Sequence, residues 1–166
     1  ISSKKEIGSV IFDDSEKIIK SLNKNSLSSW QESKPENRYI ILNKIADDIE
    51  EAPYEIIYYL INEAGKTIQN AVDEIRESVD FLRYYSNQIL KISDTSKLEG
   101  PTGEENIISY TPKGRFLCIS PWNFPVAILI GQISAALACG NKVIVKPSEH
   151  TSILGYLVVK KFHDLG

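Results

Sequence analysis

The sequence predicts an α/β protein: an N-terminal helical region over residues 1–103, then, over 104–166, the first β-α-β-α part of a doubly wound parallel sheet, truncated. Three observations carry this expectation. Through the first half, apolar residues recur every three or four positions, the period of an amphipathic helix. From Gly114 onward, short apolar runs rich in β-branched residues alternate with helix-length segments, the pattern of parallel strands joined by right-handed crossovers. Two strands are too few for a stable open sheet, so the rest is expected beyond Gly166. A chain that opens on Ile1 and contains no methionine is likewise read as an internal piece of a longer protein.

The elements follow in order. Asp13, Asp14 and Ser15 are acidic or capping residues ahead of Ile18, Ile19 and Leu22 at helical spacing, and Trp30 is expected to pack on this first unit. Pro35 suits a first helical turn; Ile41, Leu42, Ile45 and Ile49 then form one stripe, opposite Lys44, Asp47, Asp48 and Glu50. Pro53 opens a third helix with Ile57, Leu60, Ile61 and Ala64 facing inward, and Gly65 ends it. Thr67 caps a long helix whose apolar positions are Ile68, Val72, Ile75, Val79, Leu82, Tyr85 and Ile89. Its Arg76, Arg83 and acidic residues read as a solvated face, and Tyr84 and Tyr85 as half core, half surface.

Residues 93–103, rich in Ser, Thr, Gly and Pro, read as a loop and as the boundary between the two parts, with a short strand at 107–110. RFLCIS (115–120) reads as a strand, 126–139 as a helix ended by Gly140, and NKVIVK (141–146) as a second strand. The two strands are near-continuously apolar, which predicts a sheet covered on both faces. Thr151 is expected to cap a final helix with Leu154, Leu157, Val158 and Phe162 inward.

Composition narrows the function. With 42% hydrophobic and 25% charged residues the chain is an ordinary globular one, and a net charge of −3 gives no basic footprint for nucleic acid or anionic membrane. The longest apolar run, 124–139, is interrupted and too short to span a bilayer. Cys118 and Cys139 lie in apolar runs without metal or disulfide spacing, which fits a reducing, cytoplasmic setting and small core residues rather than nucleophiles. His150 and His163 have no partner at ligand spacing, so no metal site is expected.

Ligands of doubly wound sheets gather beyond the carboxyl ends of the strands, where two loops sit, SPWNFP (120–125) and PSEH (147–150). Asn123, between Pro121 and Pro125, reads either as a turn former or as a polar donor held still for chemistry. Neither loop carries the glycine pattern that lets backbone approach a pyrophosphate. Lys146 and Glu149 can donate to and accept from ribose hydroxyls, or can simply be surface charges flanking a turn.

ISPWNFP, the apolar helix after it and GNKVIVKPSEHT together resemble the coenzyme-binding segment of the aldehyde dehydrogenases; Trp30, Arg38, Leu42 and Ala46, and the Glu63 to Lys66 break, agree upstream. Within that family SVDFLRYYSNQI, GPTGEEN and CISPWNFPVAILIGQISAALACGN are similar to the subfamily that forms the dehydrogenase half of bifunctional proline utilization A proteins.

The resemblance implies a Rossmann-like NAD-binding domain and oxidation of L-glutamate γ-semialdehyde to glutamate in proline catabolism. The steps would be thiolate attack, hydride transfer to NAD and hydrolysis of a thioester. It makes Asn123 the side-chain donor of the oxyanion hole. Ile119, Ser120, Pro121 and Trp122 would contact the cofactor largely through backbone. Lys146 and Glu149 would bind the adenosine ribose with Ser148 beside them, Glu149 favouring NAD over NADP by repelling a 2′-phosphate.

The family's nucleophilic cysteine, general-base glutamate and second cofactor loop lie further along, so these residues alone are expected to be inactive. FAD belongs to a separate proline dehydrogenase domain not encoded here. The implied partners are a small aldehyde, the remainder of the parent chain and further copies in a homo-oligomer. An exposed sheet edge also predicts self-association. Two other readings stand beside this one: a succinate-semialdehyde type of aldehyde dehydrogenase, and a non-enzymatic α/β interaction module that never binds nucleotide.

Overall fold

A computed structural model of the chain describes residues 6–23, 29–93 and 97–166. Helix α1 (Ser15–Asn23) starts where Asp14 Oδ1 accepts the Lys17 amide at 2.8 Å. Its stripe is less buried than expected, with Ile18 49% and Ile19 56% exposed. The reason is its position at the rim, where Val10, Phe12 and Ile18 line a shallow hollow with Val145, Pro147 and Tyr156 instead of entering the core.

A single turn, α2 (Ser29–Glu32), carries Trp30. Beyond the packing expected of it, the Trp30 Nε1 donates to the Leu137 carbonyl at 3.0 Å, in the second half of the chain. A lone indole gives no sequence periodicity from which such a partner could be read.

Helix α3 (Pro35–Glu51) begins at the expected proline and buries Leu42, Ile45, Ala46 and Ile49. Helix α4 (Tyr54–Asn62) follows Pro53 and buries Ile56 and Leu60 completely. Gly65, at φ +70°, turns the chain in the left-handed region so that the Lys66 amide returns to the Leu60 carbonyl at 3.0 Å. Helix α5 (Ile68–Ser93) is capped by Thr67, whose Oγ1 accepts the Asn70 amide at 3.2 Å.

Strands β1 (Lys97–Leu98) and β2 (Asn106–Ile107) pair antiparallel. The interval expected to be all loop therefore contains a strand residue pair, and the strand expected over 107–110 stops at Ile107. Ile108 and Tyr110 stay exposed, with no surface to hold a longer ladder.

The second part reads β3 (Arg115–Ile119), α6 (Ala127–Ala138), β4 (Lys142–Lys146), a short 3-10 turn (Glu149–Thr151) and α7 (Ser152–Leu165). β3 and β4 pair parallel, from Arg115 opposite Lys142 to Ile119 opposite Lys146. The fold class is that expected, helices followed by a β-α-β-α segment. The sheet is not covered on both faces, however: on β3 Cys118 is buried, while Leu117 and Ile119, which point to the opposite face, are 60% and 55% exposed. Strand composition alone cannot say how many layers lie on a sheet.

One core runs through both parts, with α5 packed against α3 on one side and α6 on the other. Leu42, Ile45, Ile49, Leu60 and Leu82 from the helical region meet Leu129, Ile130, Leu154 and Val158 in it. Burying one such side chain contributes about 1.5–3 kcal/mol, so the helical region is a structural base for α6 and α7. Among the described residues no helix is long and apolar enough to cross a membrane.

Candidate functional site at the carboxyl edge of the parallel strands

The register of β3 and β4 brings the two candidate loops together. Ile119 and Lys146 are opposite partners, and beyond them the Ser120 amide donates to the Lys146 carbonyl at 3.3 Å, so the loops leave the sheet side by side. Ser120 is buried, and its Oγ has no hydrogen-bond partner among the described residues. Ile119 offers its carbonyl to Gln132 Nε2 at 3.0 Å, tying the strand end to α6. Pro121, Trp122 and Asn123 are exposed at the edge, whereas Pro125 is buried as the chain enters α6.

On the second loop, Lys146 Nζ lies 3.6 Å from Glu149 Oε2 with both side chains largely in solvent. The Glu149 carboxyl is held below the usual carboxylate range first by a hydrogen bond from its own backbone amide, then by the Lys146 charge. Ionised Glu149 is an acceptor and Lys146 a donor, the pair that vicinal hydroxyls require. Ser148 is turned inward: its Oγ accepts the His150 amide at 3.2 Å and starts the 3-10 turn.

The helix entrances are already filled. Val126 and Ala127, at the start of α6, donate to Glu74 Oε1 at 2.8 and 3.1 Å. Ile153 and Leu154, at the start of α7, donate to Glu63 Oε1 and Oε2, each at 2.9 Å. Thr151, expected to cap the last helix, makes no side-chain cap; a carboxylate ninety residues away in sequence does so instead. Glu74 corrects the reading of the α5 acids as a solvated face. It sits among Ala71, Ile75 and Ser78 on the buried face, and its side chain is wholly inaccessible.

Helix N-termini attract anions through their unpaired amides and dipole. Here internal carboxylates take that role, so the phosphates of a nucleotide would need other donors, in keeping with the missing glycine pattern. Replacing Glu63 with alanine frees two buried-rim amides and is expected to cost about 2 kcal/mol of stability, at the upper end for a lost helix cap. Urea unfolding would show it; an unchanged midpoint would mean that Glu63 contributes nothing net.

The cysteines are not poised for attack on anything bound beside Asn123. Cys118 is buried in β3, and burial pushes its thiol pKa up, away from the reactive thiolate. Cys139, expected in the core, is exposed. It follows the carboxyl end of α6, beside β3, and the 12 residues of α6 place it about 18 Å from the loop that enters the helix. His150 and His163 are exposed, and no cluster of metal-ligating side chains occurs among the described residues.

The model of the aldehyde dehydrogenase family matches residues 3–166. The chain is 42% identical over 130 residues to the bifunctional protein PutA of Salmonella typhimurium, covering 78% of this chain and 9% of that protein. It is 39% identical over 137 residues to the 1-pyrroline-5-carboxylate dehydrogenase of Anoxybacillus flavithermus, covering 82% of this chain and 27% of that one. Among solved structures it superposes on a Bradyrhizobium japonicum proline utilization A variant with a TM-score of 0.80 and 39% identity, covering 82% of this chain and 14% of that one. On a Thermus 1-pyrroline-5-carboxylate dehydrogenase with bound NAD the TM-score is 0.79 at 34% identity, covering 83% of this chain and 27% of that one. The chain thus spans between about a tenth and about a quarter of the proteins it matches.

Proposed function

The chain belongs to the aldehyde dehydrogenase family, and we propose that it forms part of an NAD-dependent enzyme that oxidises L-glutamate γ-semialdehyde to glutamate in proline catabolism. The single observation that carries the reading is the edge itself: the register of β3 and β4 sets the Asn123 loop beside the exposed Lys146 and Glu149 pair. The names of relatives, PutA and 1-pyrroline-5-carboxylate dehydrogenase, support the substrate, because 1-pyrroline-5-carboxylate opens by hydrolysis to that semialdehyde.

In this reading each residue has a defined task. Asn123 donates a carboxamide N–H to the aldehyde oxygen as negative charge grows on it during nucleophilic attack. Ile119, Ser120, Pro121 and Trp122 line the cofactor's path, chiefly through backbone. Lys146 and Glu149 hold the adenosine ribose, with Ser148 fixing the turn that presents Glu149. NAD, when bound, supplies the hydride acceptor. The attacking thiolate and the base come from elsewhere in the enzyme, since Cys118 is buried and Cys139 lies at the far end of α6. The 166 residues on their own are accordingly proposed to be inactive.

The test is NADH formation by the enzyme that contains this chain, given NAD and either 1-pyrroline-5-carboxylate or succinate semialdehyde. Turnover with the first supports the proposal; turnover confined to the second would overturn the substrate.

Cofactor choice provides a separate check. The depressed pKa of Glu149 keeps it ionised even through the ordinary carboxylate range, so repulsion of a 2′-phosphate is present at neutral pH and fades only as the pH falls through that lowered value. Glu149→Gln removes the charge and should narrow the preference for NAD over NADP by about tenfold. The ratio of kcat/KM values for the two cofactors measures it, and an unchanged ratio would remove Glu149 from the ribose site.

A further inference from the structure

Glu74 and Lys66 form a buried pair directly beneath the Asn123 loop. Lys66 Nζ lies 2.5 Å from Glu74 Oε2, with side chains 11% and 0% exposed. Glu74 Oε1 takes the amides of Val126 and Ala127. The same ammonium stands 4.0 Å from the centroid of the Phe124 ring, a cation–π contact. Three of the four residues that follow Asn123 are therefore gripped from the helical region, and the fourth is the rigid Pro125. Asn123 itself is exposed and has no side-chain hydrogen bond among the described residues.

Packing alone does not account for this arrangement. Burying a carboxylate and an ammonium is expensive, and a well-packed apolar pair of similar volume is often as stable or more so. What the charged pair provides and an apolar pair cannot is direction: two amides aimed at one oxygen, and a ring held under one cation. Local capping is also blocked, because the N-cap residue Val126 carries no side-chain oxygen.

We propose that Glu74, acting through Lys66 and the α6 amides, is the positioning residue for Asn123, fixing the loop from below so that the carboxamide meets the developing oxyanion. This rests on the reading of Asn123 as the oxyanion donor. Glu74 touches neither substrate nor cofactor. Its effect is geometric, and displacement of a reacting group by about 1 Å can cost on the order of a hundredfold in rate.

The experiment is a double-mutant cycle in the intact enzyme that contains this chain, read as kcat and KM for both substrates. Glu74→Gln keeps an acceptor for the amides and removes the charge that holds Lys66. It should lower kcat by about tenfold, part of the full misplacement cost, while KM for NAD stays within about twofold. In an Asn123→Ala background the same change should have almost no further effect on kcat, because there is no donor left to misplace. Glu74→Asp, which retains charge with a shorter reach, should recover part of the loss.

An equal fall in kcat in both backgrounds would overturn the proposal, as general damage to the fold would give that result, and so would wild-type kcat for Glu74→Gln. If Glu74→Gln does not yield folded enzyme, Lys66→Gln, which leaves the Glu74 bonds to α6 in place, is put through the same cycle with the same two criteria. Should Asn123→Ala alone leave turnover intact, the oxyanion reading fails first, and the positioning role fails with it; a large Asn123 effect with additive Glu74 behaviour sinks only the positioning role.

Discussion

Asn123→Ala is expected to lower kcat for the aldehyde by about a hundredfold or more, the loss of some 2.7–4 kcal/mol seen when a side-chain oxyanion donor is removed. The argument begins with the loop. Pro121 and Pro125 bracket Asn123, Pro125 is buried, and the strand before the loop is tied to α6 through Gln132. A donor fixed in this way spends little reorganisation energy when charge appears, which is why such a group is worth far more than an exposed hydrogen bond to water.

The proposed roles fall on separate loops. Lys146 and Glu149 belong to the neighbouring loop, so KM for NAD should stay near the wild-type value while kcat and kcat/KM fall together, the signature of an interaction made in the transition state. Asn123→Asp should be at least as damaging, since an ionised carboxylate only accepts hydrogen bonds and would repel the oxyanion. Steady-state kinetics with both substrates varied would decide it. Turnover of Asn123→Ala within about twofold of wild type would take Asn123 out of the mechanism.

The loops were legible in the sequence because local rules produce them: prolines around Asn123, a strand run before each loop, a helix period after it. The same holds for Pro35, Gly65 and Thr67, each of which acts on its own neighbours. What was not legible is the set of long-range polar contacts. Trp30 to Leu137, Glu63 to α7 and Glu74 to α6 each join residues far apart in the chain, and a single side chain carries no periodic signal about a distant partner. By composition Glu74 reads as solvent-facing, because charge is normally there. A faint signal did exist: its helical neighbours Ala71, Ile75 and Ser78 mark a buried face, and a glutamate on that face demands a partner. Cys139 is the converse case, an apolar residue that a helix end beside β3 leaves exposed.

These contacts give α6 charged supports at both ends. Glu74 meets its amides, and at its carboxyl end the buried Arg38 lies against Gly140 while Trp30 takes the Leu137 carbonyl. An anion at the amino end and a cation at the carboxyl end both oppose the helix dipole favourably. Burial pushes the Arg38 pKa down, against the nearby Cys139 and Glu36, yet the group remains a cation across the working range.

Gly140→Ala should accordingly be among the most damaging single-methyl changes in the chain, costing about 3 kcal/mol. Two effects add. At φ +78° an alanine is held in the left-handed region, at roughly 1–2 kcal/mol. Its Cβ would also stand 2.0 Å from Arg38 Nη1 and 2.9 Å from Pro112 Cγ, and overpacking of this kind costs about 1–3 kcal/mol. Arg38 is buried, so its guanidinium cannot simply swing into water without opening the α3 face that carries Leu42 and Ile45.

A companion variant separates the two terms. In Arg38→Ala the larger of the two clashes is gone, so adding Gly140→Ala should cost only the backbone strain and the Pro112 contact, and the two changes should be less than additive. Equilibrium urea unfolding of the four proteins gives the cycle. Full additivity would show that the Arg38 clash costs nothing, and a Gly140→Ala midpoint equal to wild type would mean that the α6 end can relax without holding Arg38 in place.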